Sequence, residues 1–284
     1  MNASTKAAKN EQHGTTELLR QYGVMPKKKF GQNFLVDDEV YDSIMTAAAV
    51  QSSDTILEIG PGVGSLTERL VAKANRVVAV EIDRELVTVL RERFAAVSKL
   101  EVCEGDILAK PLKAFNVAAP YRVVANIPYN ITAALIRKFL SDDVQPLSMT
   151  LLVQREVAER IVAAPGKMSL LGLSAQLYAT PVFVRSVPRE SFYPPPSVMS
   201  AVVHFSLVHS YPFSDVPEAF FWRVAKMGFA GRRKQLQTNI RAGFQLSREA
   251  CDAIFKKSNI AERARAQELT VLQWHTLSLA LQKL

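Results

Sequence analysis

The sequence predicts an α/β protein: an open, mainly parallel sheet flanked by helices, followed by a small region that is helical throughout. Three observations predict this. Short β-branched segments recur with polar residues at their carboxyl ends, a glycine-rich loop follows the first of them, and from Pro217 onward the apolar spacing is helical only. At 284 residues, with 48% hydrophobic and 22% charged, the chain has room for one large α/β domain and a small one. The division expected is a flexible lead-in over 1–25, a main domain over 26–210 and a helical domain over 211–284, with the boundary near Val208–Val216.

The lead-in has no apolar run of the kind a secretory signal needs, and Glu11, Glu17 and the scarcity of Arg argue against a transit peptide. No apolar run approaches the roughly 20 residues that span a bilayer. The only cysteines, Cys103 and Cys251, lack metal-ligand spacing, so a reducing, cytosolic setting without a structural metal is expected.

Pro26 to Leu35 comes next, with Lys27, Lys28 and Lys29 beside Phe30 and Phe34. The lysines can grip phosphate, or the stretch is a solvated arm with two aromatic anchors. Asp37 and Asp38 then offer a cap for a helix over about 38–50, where Val40, Ile44, Ala47 and Ala48 recur at helical spacing. Asp54–Ile59 reads as a strand, Gly60-Pro61-Gly62-Val63-Gly64 as a tight loop and Ser65 as a helix start. A dinucleotide fingerprint would want Gly or Ala where Ser65 stands. A GxGxG loop with an acid, Glu58, inside the preceding strand is instead the usual loop for S-adenosylmethionine.

Arg76–Glu81 is the next strand, ending in a carboxylate 21 residues after Gly60, placed to accept from both ribose hydroxyls. Leu100–Asp106 is a third strand and turn, with Asp106 offered where a cofactor's adenine amino group would sit. Tyr121–Ala125 is a fourth, running into Asn126-Ile127-Pro128-Tyr129. In that tetrapeptide the Asn carboxamide oxygen and a turn carbonyl can accept both hydrogens of an exocyclic amino group. The Tyr face can stack on the ring that carries the group. Adenine N6 is such a group, and two acceptors pulling on its hydrogens would free its lone pair for attack. A plain turn would use the same residues, so the joint pattern matters: polar ligands at successive strand ends are what an open α/β sheet presents to a ligand.

Met149–Gln154 is a fifth strand, followed by helices over 155–164 and 170–179, and Val182–Val187 with Met199–Phe205 form a closing strand pair. Between them Phe192-Tyr193-Pro194-Pro195-Pro196 is stiff, and Phe192 is expected to cap the substrate ring opposite Tyr129, unless it plugs the core. Gly231-Arg232-Arg233-Lys234 is the densest basic cluster. Net charge is +8; residues 1–150 hold 18 Lys/Arg against 18 Asp/Glu, and residues 151–284 hold 17 against 9, so the excess lies in the second half. A neutral body beside a basic region suggests a polyanion-binding face.

Lys29–Leu35, Leu57–Gly62, Gly105-Asp106, Asn126–Tyr129, Phe192–Pro196 and Gly231–Lys234 occur in this order. In these motifs the chain resembles the ribosomal RNA adenine dimethyltransferases, in their KsgA (RsmA) branch, from about residue 22 to the C-terminus. The resemblance implies a Rossmann-like class I S-adenosylmethionine-dependent methyltransferase sheet with a small helical C-terminal domain. The activity it implies is dimethylation at N6 of two adjacent adenosines near the 3′ end of small-subunit (16S) ribosomal RNA. The implied partner is a small ribosomal subunit precursor, met by a monomer. Carried over, the cofactor contacts fall on Asn33, Leu35, Gly60, Glu81, Asp106 and Asn126, the catalytic set on Asn126, Tyr129 and Phe192, and RNA contacts on Lys27, Lys28, Lys29, Arg232, Arg233 and Lys234. Ile127 replaces the usual Leu, harmlessly if its carbonyl is what acts. Ser197 and Met199 replace the usual Lys and Asp, which alters how that edge meets RNA phosphate. An Erm-type methyltransferase of large-subunit RNA, a DNA adenine methyltransferase and a non-catalytic RNA-binding or transcription factor are the rival readings.

Overall fold

The computed structural model describes residues 14–142, 144–206, 208–231 and 233–283. Helix α1 (Thr15–Gln21) leads into the short strand β1 (Phe34–Leu35) and helix α2 (Asp38–Ala48), which Asp37 caps by accepting the Glu39 N–H at 3.1 Å. The expected flexible lead-in does not hold for α1. Leu18 and Leu19 are buried in an apolar cluster with Val24, Phe34, Val63, Leu86 and Val89. Seven residues are too few to signal a helix by periodicity, and their apolar face finds its partner only in the folded chain. Residues 1–13 lie outside the described residues.

An alternation of strand and helix follows: β2 (Thr55–Ile59), α3 (Ser65–Lys73), β3 (Arg76–Glu81), α4 (Arg84–Arg93), β4 (Leu100–Glu104), β5 (Arg122–Asn126), α5 (Thr132–Ser141), β6 (Met149–Gln154) and α6 (Arg155–Ile161). After α7 (Leu170–Tyr178) come β7 (Thr180–Val187), β8 (Phe192–Tyr193) and β9 (Ser200–Ser206). The main sheet has the order β4-β3-β2-β5-β6-β9-β7, parallel from β4 to β6, with β9 antiparallel to both β6 and β7. The chain winds outward from β2 through β3 to β4, then returns to place β5 on the other side of β2. That reversal opens a crevice at the strands' carboxyl ends. The stiff 192–196 segment begins with an unanticipated strand: β8 pairs antiparallel with β1, Leu35 opposite Phe192.

Period-two alternation sets the two faces. Leu57, Val78, Val123 and Leu151 point into one apolar layer, while Ile56, Val77, Val124 and Leu152 point into the other, with α2 and α3. Glu58, Glu81 and Asn126 share the parity of Ile56, Val77 and Val124, so all three lie on the second face, at its carboxyl edge.

The remaining helices are α8 (Glu218–Gly228), α9 (Leu236–Phe244), α10 (Arg248–Lys257) and α11 (Val271–Gln282). Their core is continuous with the first layer of the sheet: Phe205, Tyr178, Phe221, Phe255 and Trp274 belong to one buried cluster. Trp222 Nε1 donates to the Tyr178 hydroxyl at 3.0 Å, and the two rings stack at 6.3 Å. Among the described residues no helix is long and apolar enough to cross a membrane.

Candidate active site

A cavity of about 400 Å³ opens at the carboxyl ends of β2, β3 and β5. Its floor is the Gly60–Gly64 loop. Gly60 and Gly62 hold φ near +66° and +63°, the left-handed region that favours glycine, and a Cβ on Gly62 would lie 3.1 Å from the Phe34 ring. Bare backbone therefore faces the cavity where a side chain would intrude.

Asn33, Leu35, Gly60, Glu81, Asp106, Asn126, Tyr129 and Phe192, singled out in the sequence, all line this one cavity, though they come from six separate stretches of chain. The Asn126 Nδ2 faces the Asn33 carbonyl at 3.5 Å, the outer limit of a hydrogen bond, which leaves Asn126 Oδ1 as the acceptor of that amide. Asn33 itself donates to the Gly31 carbonyl at 3.2 Å. Ile127 is buried and its N–H is held by the Leu152 carbonyl at 3.2 Å, so the peptide after Asn126 is fixed by β6. The Tyr129 hydroxyl shares a 2.5 Å hydrogen bond with Ser200 of β9, which sets the ring's tilt. Phe192 borders the cavity but is only 2% exposed and sits in the apolar cluster that contains Leu35. It is thus the core residue that one of the two readings expected, and it also forms part of the cavity wall.

Glu81 is 5% exposed. One carboxylate oxygen accepts the N–H groups of Ile82 at 2.8 Å and Asp83 at 2.9 Å, and the other accepts that of Gly62 at 3.3 Å. Burial raises its pKa, and those three N–H groups oppose the rise. Asp106 accepts the Leu108 N–H at 2.8 Å, which fixes the turn after β4. Glu58 is 1% exposed and accepts from Thr67 Oγ1 at 2.7 Å; burial pushes its carboxyl up to about 8, against the Thr67 hydrogen bond.

The basic residues behave differently. Lys27 does not line the cavity: its ammonium is paired with Asp83 at 2.8 Å and Glu85 at 2.6 Å, so the expectation of a lysine free to grip phosphate fails there. Two acids four residues or fewer past the β3 end could have paired with any of several cations, and only the fold selects one. Lys29 does line the cavity, its Nζ 4.7 Å from the Phe30 ring. The side chain of Lys28 and the whole of Arg232 lie outside the described residues. Arg233 and Lys234 are exposed in the turn between α8 and α9, not on a helix face, and apart from the cavity; Asn239 braces that turn by donating to the carbonyls of Gly228 and Gly231 at 2.8 and 3.3 Å.

Sequence reasoning missed several contributors. Gln32 Nε2 donates to Asp83 at 3.0 Å and its oxygen accepts the Lys27 N–H at 2.8 Å, so Lys27, Gln32 and Asp83 clasp the 27–35 segment across the cavity. Thr15, Tyr41 and Ser65 also line it. Isolated hydroxyls carry no spacing signal.

The residues fit S-adenosylmethionine. Bare glycine backbone admits a close approach, Glu81 offers a buried acceptor at a strand end, and Ile82, Ile107 and Val80 add apolar wall beside Asp106. That combination of a few polar groups on an apolar, preformed concavity suits a nucleoside.

A sequence model of the family described as "Ribosomal RNA adenine dimethylase" matches residues 24–283. "Ribosomal RNA small subunit methyltransferase A" of Dehalococcoides mccartyi is 39% identical over 264 residues, covering 93% of this chain and 91% of the relative. Its namesake from Alkaliphilus oremlandii is 35% identical over 271 residues, covering 93% and 94%. Among solved structures, a dimethyladenosine transferase from Plasmodium falciparum superposes with a TM-score of 0.72 at 25% identity, over 88% of this chain and 98% of that one. The 23S rRNA methyltransferase ErmE superposes at 0.71 with 26% identity, over 88% and 100%. With a family match spanning nearly the whole chain and identities of this size over it, the chain belongs to the ribosomal RNA adenine dimethylase family.

Proposed function

We infer that the protein dimethylates N6 of two adjacent adenosines near the 3′ end of small-subunit (16S) ribosomal RNA, using S-adenosylmethionine, on a small-subunit precursor. The observation that carries the reading is Asn126-Ile127-Pro128-Tyr129 at the end of β5, beside the glycine loop of β2 and facing one cavity with it. When bound, S-adenosylmethionine supplies an electrophilic sulfonium methyl. The chain's own work is orientation. Asn126 Oδ1 and the Ile127 carbonyl accept the hydrogens of N6, drawing the nitrogen towards tetrahedral geometry and exposing its lone pair. Tyr129 and Phe192 hold the faces of a base taken out of its stack. The methylated nitrogen is acidic enough to lose its proton to water, so no side chain is needed as base. A nitrogen that already bears one methyl still has one hydrogen for these acceptors, which permits the second transfer.

Glu81 and Asp106 take the ribose and adenine of the cofactor, and Asn33, Leu35 and Gly60 border its remainder. Lys28, Lys29, Arg232, Arg233 and Lys234 supply charge for phosphate, the 211–284 helices serving as the RNA-contacting domain of a monomer. Relatives at 35–39% identity carry the small-subunit name, whereas ErmE is matched here as a structure at 26%. This favours the small-subunit substrate over the large.

Asn126→Ala should abolish methyl transfer and leave RNA binding nearly unchanged; equal loss of both would sink the assigned role. Labelled methyl should enter unmodified small subunits, ending as two methyls on each of two adenosines. Label in large subunits instead would place the protein with the ErmE-like enzymes, and RNA binding without any label would make it a binding protein.

A further inference from the structure

Of the three side chains assigned to the acceptor base, two stand on paired strands. Asn126 ends β5 opposite Leu152 of β6, and Phe192 opens β8 opposite Leu35 of β1. Tyr129 has no such support. It follows Pro128 in the irregular turn between β5 and α5, closed by the Ile131 N–H on the Pro128 carbonyl at 3.2 Å. A half-buried ring on a turn can swing about its two side-chain torsions, so presenting one face to a base needs a fixing from elsewhere.

That fixing is Ser200. It opens β9, opposite Gln154 at the end of β6 and Val187 at the end of β7, so its backbone is held from both sides. Its neighbour Met199 is held as well, by the Arg155 N–H on its carbonyl at 2.9 Å. Ser200 shares the parity of Val202, which lies in the second apolar layer with Leu152, Val187 and Phe192. Its side chain therefore points to the face that carries Asn126. Ser200 is fully buried, and among the described residues its side-chain partner is the Tyr129 hydroxyl at 2.5 Å, reached across the end of β6. A buried hydroxyl left unpaired forfeits its hydrogen bonds to water, which strongly favours the pair. Burial raises the Tyr129 phenol above its usual range, against the Ser200 hydrogen bond, so both groups are neutral at physiological pH and either can donate.

We propose that Ser200 is a positioning residue for methyl transfer: it pins the far end of the Tyr129 ring to the rigid start of β9, so that the ring meets the extruded adenine with one face. This rests on the reading of Tyr129 as the residue that stacks on the base. The sheet end that holds Ser200 is formed before any RNA arrives. The ring is thus aligned in the free protein, and its ordering is not subtracted from the binding of the base.

Ser200→Ala, Tyr129→Phe and the double variant test this. Three quantities are measured: the rate of methyl transfer to unmodified small subunits, the melting temperature, and calorimetric binding of S-adenosylhomocysteine. Each variant should transfer methyl roughly tenfold more slowly than wild type, the worth of one hydrogen bond, and the double no more slowly than either single. Stability should not follow activity. Tyr129→Phe keeps its ring over Ser200 and leaves that hydroxyl dry and unpaired, so its melting temperature should fall. The double variant removes both hydroxyls and should regain it. S-adenosylhomocysteine should bind all four proteins alike. Activity that returns with melting temperature in the double variant, losses that add, or S-adenosylhomocysteine binding that falls with activity would overturn the proposal and leave the pair as packing. Should Tyr129→Phe not fold, Ser200→Ala and the double variant decide: a tenfold loss with wild-type S-adenosylhomocysteine binding supports the proposal, and a wild-type rate overturns it. A wild-type protein that transfers methyl to no ribosomal RNA would instead overturn the proposed function, and this inference with it.

Discussion

Two aromatic residues on one cavity are held by different forces, and their substitutions should separate accordingly. Tyr129 is half-buried and tethered by Ser200, whereas Phe192 is packed in the sheet's second layer. Tyr129→Ala should cost about 1–3 kcal/mol of base stacking with little change in melting temperature. Phe192→Ala should cost about 3–5 kcal/mol of stability through the cavity it leaves, besides any loss of activity. Melting curves of both variants decide: a Phe192→Ala protein as stable as wild type would refute its place in the core. Glu58 supplies a second test at this scale. Burial, with the Glu81 charge adding and Thr67 and Arg93 opposing, lifts its pKa from 4.5 to about 8. A carboxyl whose folded pKa is raised gives stability that is full below the unfolded value and is lost as pH rises through the folded one. The ligand-free protein should therefore lose melting temperature between about pH 5 and 8, and Glu58→Gln should flatten that decline. An unchanged slope in the variant would show that another group carries it.

At the scale of elements, the 27–35 segment is a strap over the cavity with two fixings. One is the pairing of β1 with β8, which puts Leu35 opposite Phe192. The other is the clasp of Lys27 and Gln32 on Asp83, whose carboxyl burial would raise but which the Lys27 and Gln32 hydrogen bonds hold below its usual range. Asp83→Asn keeps the shape but removes the charge that pairs with Lys27. It should speed amide exchange across residues 31–35 and weaken S-adenosylhomocysteine binding several-fold, with little effect on strands β5 and β6. Exchange in 31–35 that matches wild type would mean that the β1–β8 ribbon alone holds the strap.

At the scale of the molecule, one apolar cluster runs from the sheet into the C-terminal helices through Tyr178, Phe221 and Trp274. The 26–210 and 211–284 regions expected from the change of pattern thus share a core. A chain ending at residue 210 would bare the surface that α8 and α11 cover, and should melt without cooperativity or aggregate. A cooperative, soluble fragment would instead establish two independent domains. The charge excess of the second half (17 Lys/Arg against 9 Asp/Glu) thus lies on sheet and helices that share this core, not on a tethered arm.

The sequence by itself determined the alternation of strand and helix, the glycine loop, and which polar residues end the strands, because each is local. Period-two burial, a left-handed φ and a strand terminus are written in a handful of neighbouring residues. It thereby placed Gly60, Glu81, Asp106 and Asn126, while Asn33 came from the family resemblance alone; all five face one cavity. Only the tertiary structure decided that Lys27 is spent on Asp83 and Glu85, that Phe192 is both core and wall, that α1 is packed, and that Thr15 reaches Ser65 across 50 positions. A hydrogen bond or an ion pair depends on distance in space, and single hydroxyls and ammonium groups leave no periodic mark from which that distance can be read.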